Sequence, residues 1–318
     1  KTAIRELDAK LVELSAYGVA SGIARIEQER LLVAERVRFE QFFTPELARL
    51  LSIEGDAMLS ARDAEITVLF CDIKGFSRIS AECGASLAIE WVCDVLSELS
   101  DCVAAFQGVL VDYAGDALEA LWGAPLPTRD HAVMACRAAL QMRQTLPAIN
   151  LRWQARLGEL TDISIGIHTG SAKVGNIGSR RKFKYGALGT TVNLTSRIQG
   201  ATKFVGGSVL VSGSTMSSTN RSFDARRMCT IRTINIAEPV DVYELCEVPS
   251  PDWDSLKLNY EKALADFERQ EFMAAEKTLS DIIQHHPEDL PTRRLLERLS
   301  MAVSSATSFD PVWNLSGK

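Results

Sequence analysis

The stretch EITVLFCDIKGFSRIS, residues 65–80, decides how the rest of the chain is read. Its apolar run Ile66 to Phe70 predicts a buried strand, followed by Asp72 and a Gly75-Phe76-Ser77 turn that opens a helix. A carboxylate at the end of an apolar strand is costly to bury unless a positive partner sits against it. A helix start beside it offers unpaired backbone N–H groups suited to phosphate. Together these point to a metal ion held by Asp72, with a polyphosphate over Gly75, Phe76 and Ser77. The alternative is a plain strand-to-helix connection in which Asp72 caps the helix.

Working outward, the surrounding rhythm is strand, helix, hairpin, helix, strand. A helix is predicted over Leu87 to Phe106, a hairpin over Val109 to Tyr113 and Leu118 to Trp122, and a second helix over Arg129 to Leu146. Strands follow at Ile163 to His168 and Ala172 to Ile177, then a helix from Thr191 to Gly200. Strand-like segments at Val209 to Ser212, Ile231 to Ile234 and Val240 to Leu245 close the unit. Runs of strand with two helices on one side predict an α+β sandwich with a ferredoxin-like βαββαβ core. Three segments result: residues 1–52, a largely helical N-terminal piece; 53–248, the main domain; and 249–318, a helical hairpin containing one tetratricopeptide-like unit. One such unit is too few for a peptide-binding array. In the N-terminal piece, Leu7, Leu11 and Leu14 follow a coiled-coil spacing that Gly18 and Gly22 weaken. An amphipathic helix lying on its own domain is the equal alternative. Phe39, Phe42 and Phe43 are expected to plug that helix into the globular part.

Composition narrows the class. With 46% hydrophobic and 24% charged residues in 318, the chain is an ordinary globular one. A net charge of −6 without a basic block argues against nucleic acid as a partner. Seven cysteines without a CxxC spacing suit buried thiols in a reducing cytosol, and a cytoplasmic location is expected. No run approaches a membrane span, and the chain begins at Lys1, as expected of a piece cut from a longer protein whose upstream part can carry a sensor or membrane segment.

Two further stretches carry chemistry. Asp116 sits in the turn of AGDALEALWGAP, where a hairpin tip beside a central strand can bring it to Asp72. Two such carboxylates suit a pair of Mg²⁺ or Mn²⁺ ions. Taken alone, Asp116 reads first as a Gly-Asp turn residue. Residues 170–203 open with glycines, carry Arg180, Arg181, Lys182 and Lys184, and end in a helix with Asn193 and Arg197 four apart on one face. The cations suit triphosphate oxygens, and the Asn/Arg pair can steady a pentavalent phosphorus. A solvated charged loop and a surface helix are the plainer alternative.

Four motifs in order, FCDIKGFS, GDALEALWGAP, GIHTGSAKVGNIGS and LGTTVNLTSR, make residues 65 to 248 resemble the catalytic domain of class III adenylate and guanylate cyclases. The resemblance implies that Asp72 and Asp116 bind two metal ions with the Ile73 carbonyl. It implies that Asn193 orients the ribose, that Arg197 stabilises the transition state, and that Arg181 binds phosphate. It also implies a homodimer whose sites each draw on both subunits, a nucleoside triphosphate substrate and an upstream regulatory domain. The sequence departs from the family at three places. Asp112 stands where a base-reading lysine is usual, Gly186 where its Asp or Thr partner is usual, and Ile234 where a phosphate-binding lysine is usual. Lys182 or Lys184 is the expected substitute for that last role. Asp112 suits guanine, because it leaves adenine N1 without a donor, whereas the prevalence of adenylate cyclases among similar chains favours ATP. ATP is the expected substrate, GTP the alternative, and a catalytically silent nucleotide-binding domain a third reading.

Overall fold

A computed structural model describes residues 2–40, 60–179, 183–233, 238–304 and 309–315. It divides into two units, residues 1–55 and 56–318. The first contains helix α1 (Thr2–Glu40), along which Leu7, Leu11, Leu14, Ile23 and Ile26 are exposed. Phe42 and Phe43, the side chain of Phe39, and residues 53–59 at the start of the expected main domain lie outside the described residues.

The second unit is built on β1 (Arg62–Ile73), longer than the predicted Ile66 to Phe70, so Asp72 lies within the strand. Helices α2 (Phe76–Cys83) and α3 (Ala85–Ala105) lead to the hairpin β2 (Val109–Ala114) and β3 (Ala117–Trp122). Helix α4 (His131–Leu157) then returns the chain to β4 (Ile163–Gly178). The order β2-β3-β1-β4, all antiparallel, is the expected βαββαβ arrangement. Beyond it follow β5 (Phe183–Leu188), α5 (Thr190–Val205), β6 (Val209–Ser212), α6 (Gly213–Ser218), β7 (Ala225–Thr233) and β8 (Val240–Leu245). Three helices, α7 (Pro251–Glu268), α8 (Phe272–His285) and α9 (Leu290–Ser304), and a short β9 (Trp313–Leu315) complete the described chain. The sheet continues past β4 as β6-β8-β7-β9, and β5 pairs with β4 from the side.

Several boundaries differ from the sequence expectations, each for a tertiary reason. The two strands predicted on either side of Thr169 and Gly170 are one strand, because β1 pairs with β4 without interruption from Arg62↔Val174 to Ile73↔Ile163. Helix α4 runs through Pro147 instead of stopping at Leu146. An internal proline costs about 3 kcal/mol, and burial of Leu146, Ile149 and Trp153 on the continuing face offsets it. The expected segment at Ile231 begins at Ala225, while Ile234 lies outside the described residues. The C-terminal hairpin is three helices, since the chain turns at Gln270, which takes φ 65. That layer joins the sheet: β9 pairs in parallel with β7.

Alternation along the strands divides the core in two. Leu69, Cys71, Ile73, Ile163, Ile165 and Ile167 face α3 and α4. The opposite face carries α5 and the C-terminal helices, through Leu194, Ile198, Leu210, Tyr260, Phe267 and Leu295. Helices thus cover both faces, not one. Five cysteines are buried, Cys83 is half-buried and Cys93 exposed, all as free thiols.

Helix α5 lies unusually close to the sheet. A Cβ on Gly166 would stand 2.2 Å from the Gln199 backbone nitrogen. Gly166→Ala is therefore expected to lift α5 and cost about 1–3 kcal/mol, read as a lower urea midpoint at unchanged m-value.

Candidate active site

The strand period that buries Cys71 and Ile73 against the helices turns Asp72 to the other face, where it is half-buried. Asp116 reaches the same place from the β2–β3 turn, which Gly115 makes by adopting φ +70. The Asp116 carboxyl is pushed up to about 7, first by burial, then by a hydrogen bond shared with Asp72 and by the Asp72 charge. Hydrogen bonds from its own N–H and that of Ile73 pull in the other direction. Two acidic side chains 44 positions apart in the sequence therefore meet directly.

Among the described residues neither aspartate has an ion-pair partner, and no group of three or more His, Cys, Asp or Glu suits one metal. A cation here would draw on two carboxylates and main-chain oxygen, completed by ligand oxygens. That hard, all-oxygen donor set fits Mg²⁺ or Mn²⁺. The raised Asp116 carboxyl points the same way, because a divalent ion would relieve the repulsion that holds it there.

The capping alternative for Asp72 fails on geometry: the N-cap of α2 is Gly75, at φ 73, and no side chain caps the helix. Ser77 is exposed at this helix start. Phe76 stacks on Trp91 with ring centroids 5.8 Å apart, so what it presents to a ligand is its main-chain N–H. The turn itself is tied down by Lys74, whose N–H donates to the Asp162 carbonyl and whose ammonium pairs with the Asp162 carboxylate at 2.8 Å.

The cationic segment divides. Arg180, Arg181 and Lys182 lie outside the described residues. Lys184 stands in β5, not in a loop, and its Nζ lies 2.7 Å from Asp112 Oδ2 and 3.9 Å from Glu119 Oε2. Burial raises the Glu119 carboxyl, the Lys184 charge opposes this and Asp112 adds to it. Gly186, two positions along the same strand, is buried. A Cβ there would stand 3.1 Å from Val111 Cγ1, so β5 crosses β2 closely. The Lys184–Asp112 pairing is invisible to sequence reasoning, because it joins strands 72 residues apart.

Asn193 is exposed and Arg197 half-buried on α5, whose buried residues include the adjacent Leu194 and Ile198. Among the described residues neither side chain has a hydrogen bond or ion pair, and neither is joined to Asp72 or Asp116 within one chain. The helix is nevertheless tied to β1, the strand that carries Asp72. Gln199 Nε2 donates to Ser164 Oγ at 2.8 Å, and that hydroxyl donates to the Asp72 carbonyl at 3.4 Å. Gln199 is a contributor the sequence did not single out.

Residues 58–238 match the family model described as adenylate and guanylate cyclase catalytic domain. Adenylate cyclase 1 of Rhizobium meliloti (strain 1021) is 33% identical over 184 residues, which are 58% of this chain and 28% of that relative. The chain thus spans little more than a quarter of that protein's length. Among solved structures, the adenylyl cyclase CyaB from P. aeruginosa is 28% identical at a TM-score of 0.55, over 60% of this chain and 97% of that one. The guanylyl cyclase Cya2 is 28% identical at the same TM-score of 0.55, over 60% of this chain and 95% of its own.

Proposed function

This chain belongs to the adenylate and guanylate cyclase catalytic-domain family, and from that premise we propose that it converts ATP to 3′,5′-cyclic AMP and pyrophosphate in a homodimer. The observation that carries the proposal is the direct meeting of Asp72 and Asp116 on the sheet face that also bears α5.

Two Mg²⁺ or Mn²⁺ ions held by Asp72, Asp116 and the Ile73 carbonyl would supply activation of the ribose 3′-hydroxyl and charge neutralisation on the triphosphate. The N–H groups at Gly75, Phe76 and Ser77 receive phosphate oxygens, as an uncapped helix start does. Arg181 and Lys182, which lie outside the described residues, are assigned to the triphosphate oxygens by their charge. Asn193 orients the ribose, and Arg197 donates to the α-phosphoryl oxygens as charge builds on them during in-line attack. Asn193 is exposed and Arg197 half-buried on α5, both without an intrachain partner among the described residues, as residues completing a second copy's site would be. One chain carrying both halves then yields two equivalent sites. Helix α1 is the input from an upstream regulatory domain.

Base choice rests on the Lys184–Asp112 pair. Asp112 accepts from the adenine amino group and Lys184, 2.7 Å away, supplies the N1 donor that Asp112 alone lacks. This shifts Lys184 from a phosphate role to a base-reading one. GTP is the second reading, favoured by the affinity of a carboxylate for the guanine N1–H and N2–H. Incubating the chain with Mn²⁺ and either ATP or GTP and identifying the cyclic product decides between them. No product from either supports a silent nucleotide-binding domain. Lys184→Ala is expected to lower kcat/KM for ATP by about 10–100-fold while changing GTP use far less, since one polar base contact carries about 1–3 kcal/mol. Equal losses on both nucleotides would return Lys184 to the phosphates.

A further inference from the structure

One of the contacts that join the C-terminal helices to the cyclase sheet is a buried guanidinium. Arg226 on β7 is 2% exposed. Its Nη2 and Nη1 donate to Asp289 Oδ1 and Oδ2 at 2.7 and 3.1 Å, and its Nε donates to Glu244 Oε2 at 2.9 Å. The rings of Trp253 and Tyr260 flank it at 5.2 and 4.9 Å.

Each carboxylate leads onward to a different part of the site. Asp289 Oδ2 accepts from the backbone N–H of Thr292 at 3.0 Å and so caps the start of α9. The neighbouring Leu290–Pro291 backbone presses on Gly206, the C-cap of α5, where a Cβ would stand 2.9 Å away. Glu244 Oε1 accepts from Ser208 N at 3.1 Å, and Ser208 Oγ accepts from Lys74 Nζ at 3.2 Å. Lys74 follows Ile73 in the turn after Asp72. A single buried cation is thus joined on one side to the end of the helix bearing Asn193 and Arg197. On the other side it is joined to the turn that follows β1.

A buried ion cluster is a poor way to gain stability, since well-packed apolar residues commonly do as well. Its directional bonds do fix geometry. Building on the cyclase reading above, we propose that Arg226 is a positioning residue for cyclisation, the hub through which the C-terminal helices hold α5 and the Lys74 turn in register. A misplacement of about 1 Å at a reacting centre costs on the order of 10²-fold in rate, so small shifts at this hub reach turnover.

The test uses the full chain, with Arg226→Met, Arg226→Lys, Glu244→Gln and the rim control Arg232→Ala, whose guanidinium pairs with exposed Asp310. Steady-state kinetics with Mn²⁺ and the preferred nucleotide are measured beside thermal unfolding. The expected result is a fall in kcat of roughly 10–100-fold in Arg226→Met and Glu244→Gln. KM is expected to stay unchanged, with partial recovery in Arg226→Lys and none of this in Arg232→Ala. If Arg226→Met does not fold, Ser208→Ala, which removes only the link to Lys74, carries the same expectation. Folded variants with wild-type kcat, or a loss of activity that tracks the unfolded fraction, overturn the inference. A wild-type chain yielding no cyclic product refutes the cyclase reading and this inference with it; product from the wild type with unaltered variant kcat refutes this inference alone.

Discussion

Asp116→Ala is expected to reduce cyclic nucleotide formation by more than about 10³-fold, at or beyond the upper end of losses from removing a single charge-stabilising group. Asp72→Ala should do the same, because the two carboxylates act as a unit and their losses do not add. Folding should survive both changes. In the metal-free chain Asp116 is a group whose carboxyl lies near 7 against an ordinary value of 3.8, chiefly through burial and then through Asp72. Below about pH 4 it is protonated in folded and unfolded chains alike. Between about 4 and 7 the folded state holds a proton that the unfolded state has released, so stability falls as pH rises. Above 7 the full penalty is present. With chelator present, the wild-type Tm should therefore drop between pH 5 and pH 8 relative to Asp116→Asn, and Mg²⁺ should restore it. Retained activity in Asp116→Ala, or identical pH profiles for wild type and Asp116→Asn, would remove the basis of the metal assignment.

Arg197→Ala carries the second largest effect, about 10²–10³ in kcat or roughly 3–4 kcal/mol, by comparison with deletion of an oxyanion donor. The more informative experiment mixes it with Asp72→Ala. If each site takes its carboxylates from one copy and its Asn/Arg pair from the other, a heterodimer of the two defective chains contains one intact site. Mixing should then restore up to about half the wild-type activity per heterodimer, each of which has one of two sites complete. Failure to recover activity, with heterodimers demonstrated by tagged co-purification, would mean that each chain builds its site alone. The exposure of Asn193 and the lack of an intrachain polar contact at Arg197 among the described residues favour recovery.

Much of this site is legible in the order of amino acids because it is encoded locally. The alternation around Leu69, Cys71 and Ile73 sends Asp72 to the opposite face whatever the rest of the chain does. Gly115 before Asp116 specifies a tight hairpin, and Asn193 and Arg197 share a helix face by their spacing alone. The βαββαβ core follows from the succession of apolar periods, which is why its strand order matches expectation.

Other features answer to contacts that no window of sequence contains. Residues 183–188 follow directly on the cationic run 180–182 and read as part of the same charged loop, yet they pair with Lys173 to Gly178 of β4 and bring Lys184 onto Asp112. Pro147 predicts a helix end, and the buried side chains beyond it overrule that. The C-terminal segment looks separable by its prolines, but Arg226, Asp289 and β9 make it part of the cyclase sheet. Periodicity and turn chemistry are properties of neighbours along the chain, so composition and order settle the faces, the turns and the motif residues. Which charge meets which, and which strand runs on, depends on burial and hydrogen bonding between residues dozens of positions apart, and that is determined only when the sheet closes.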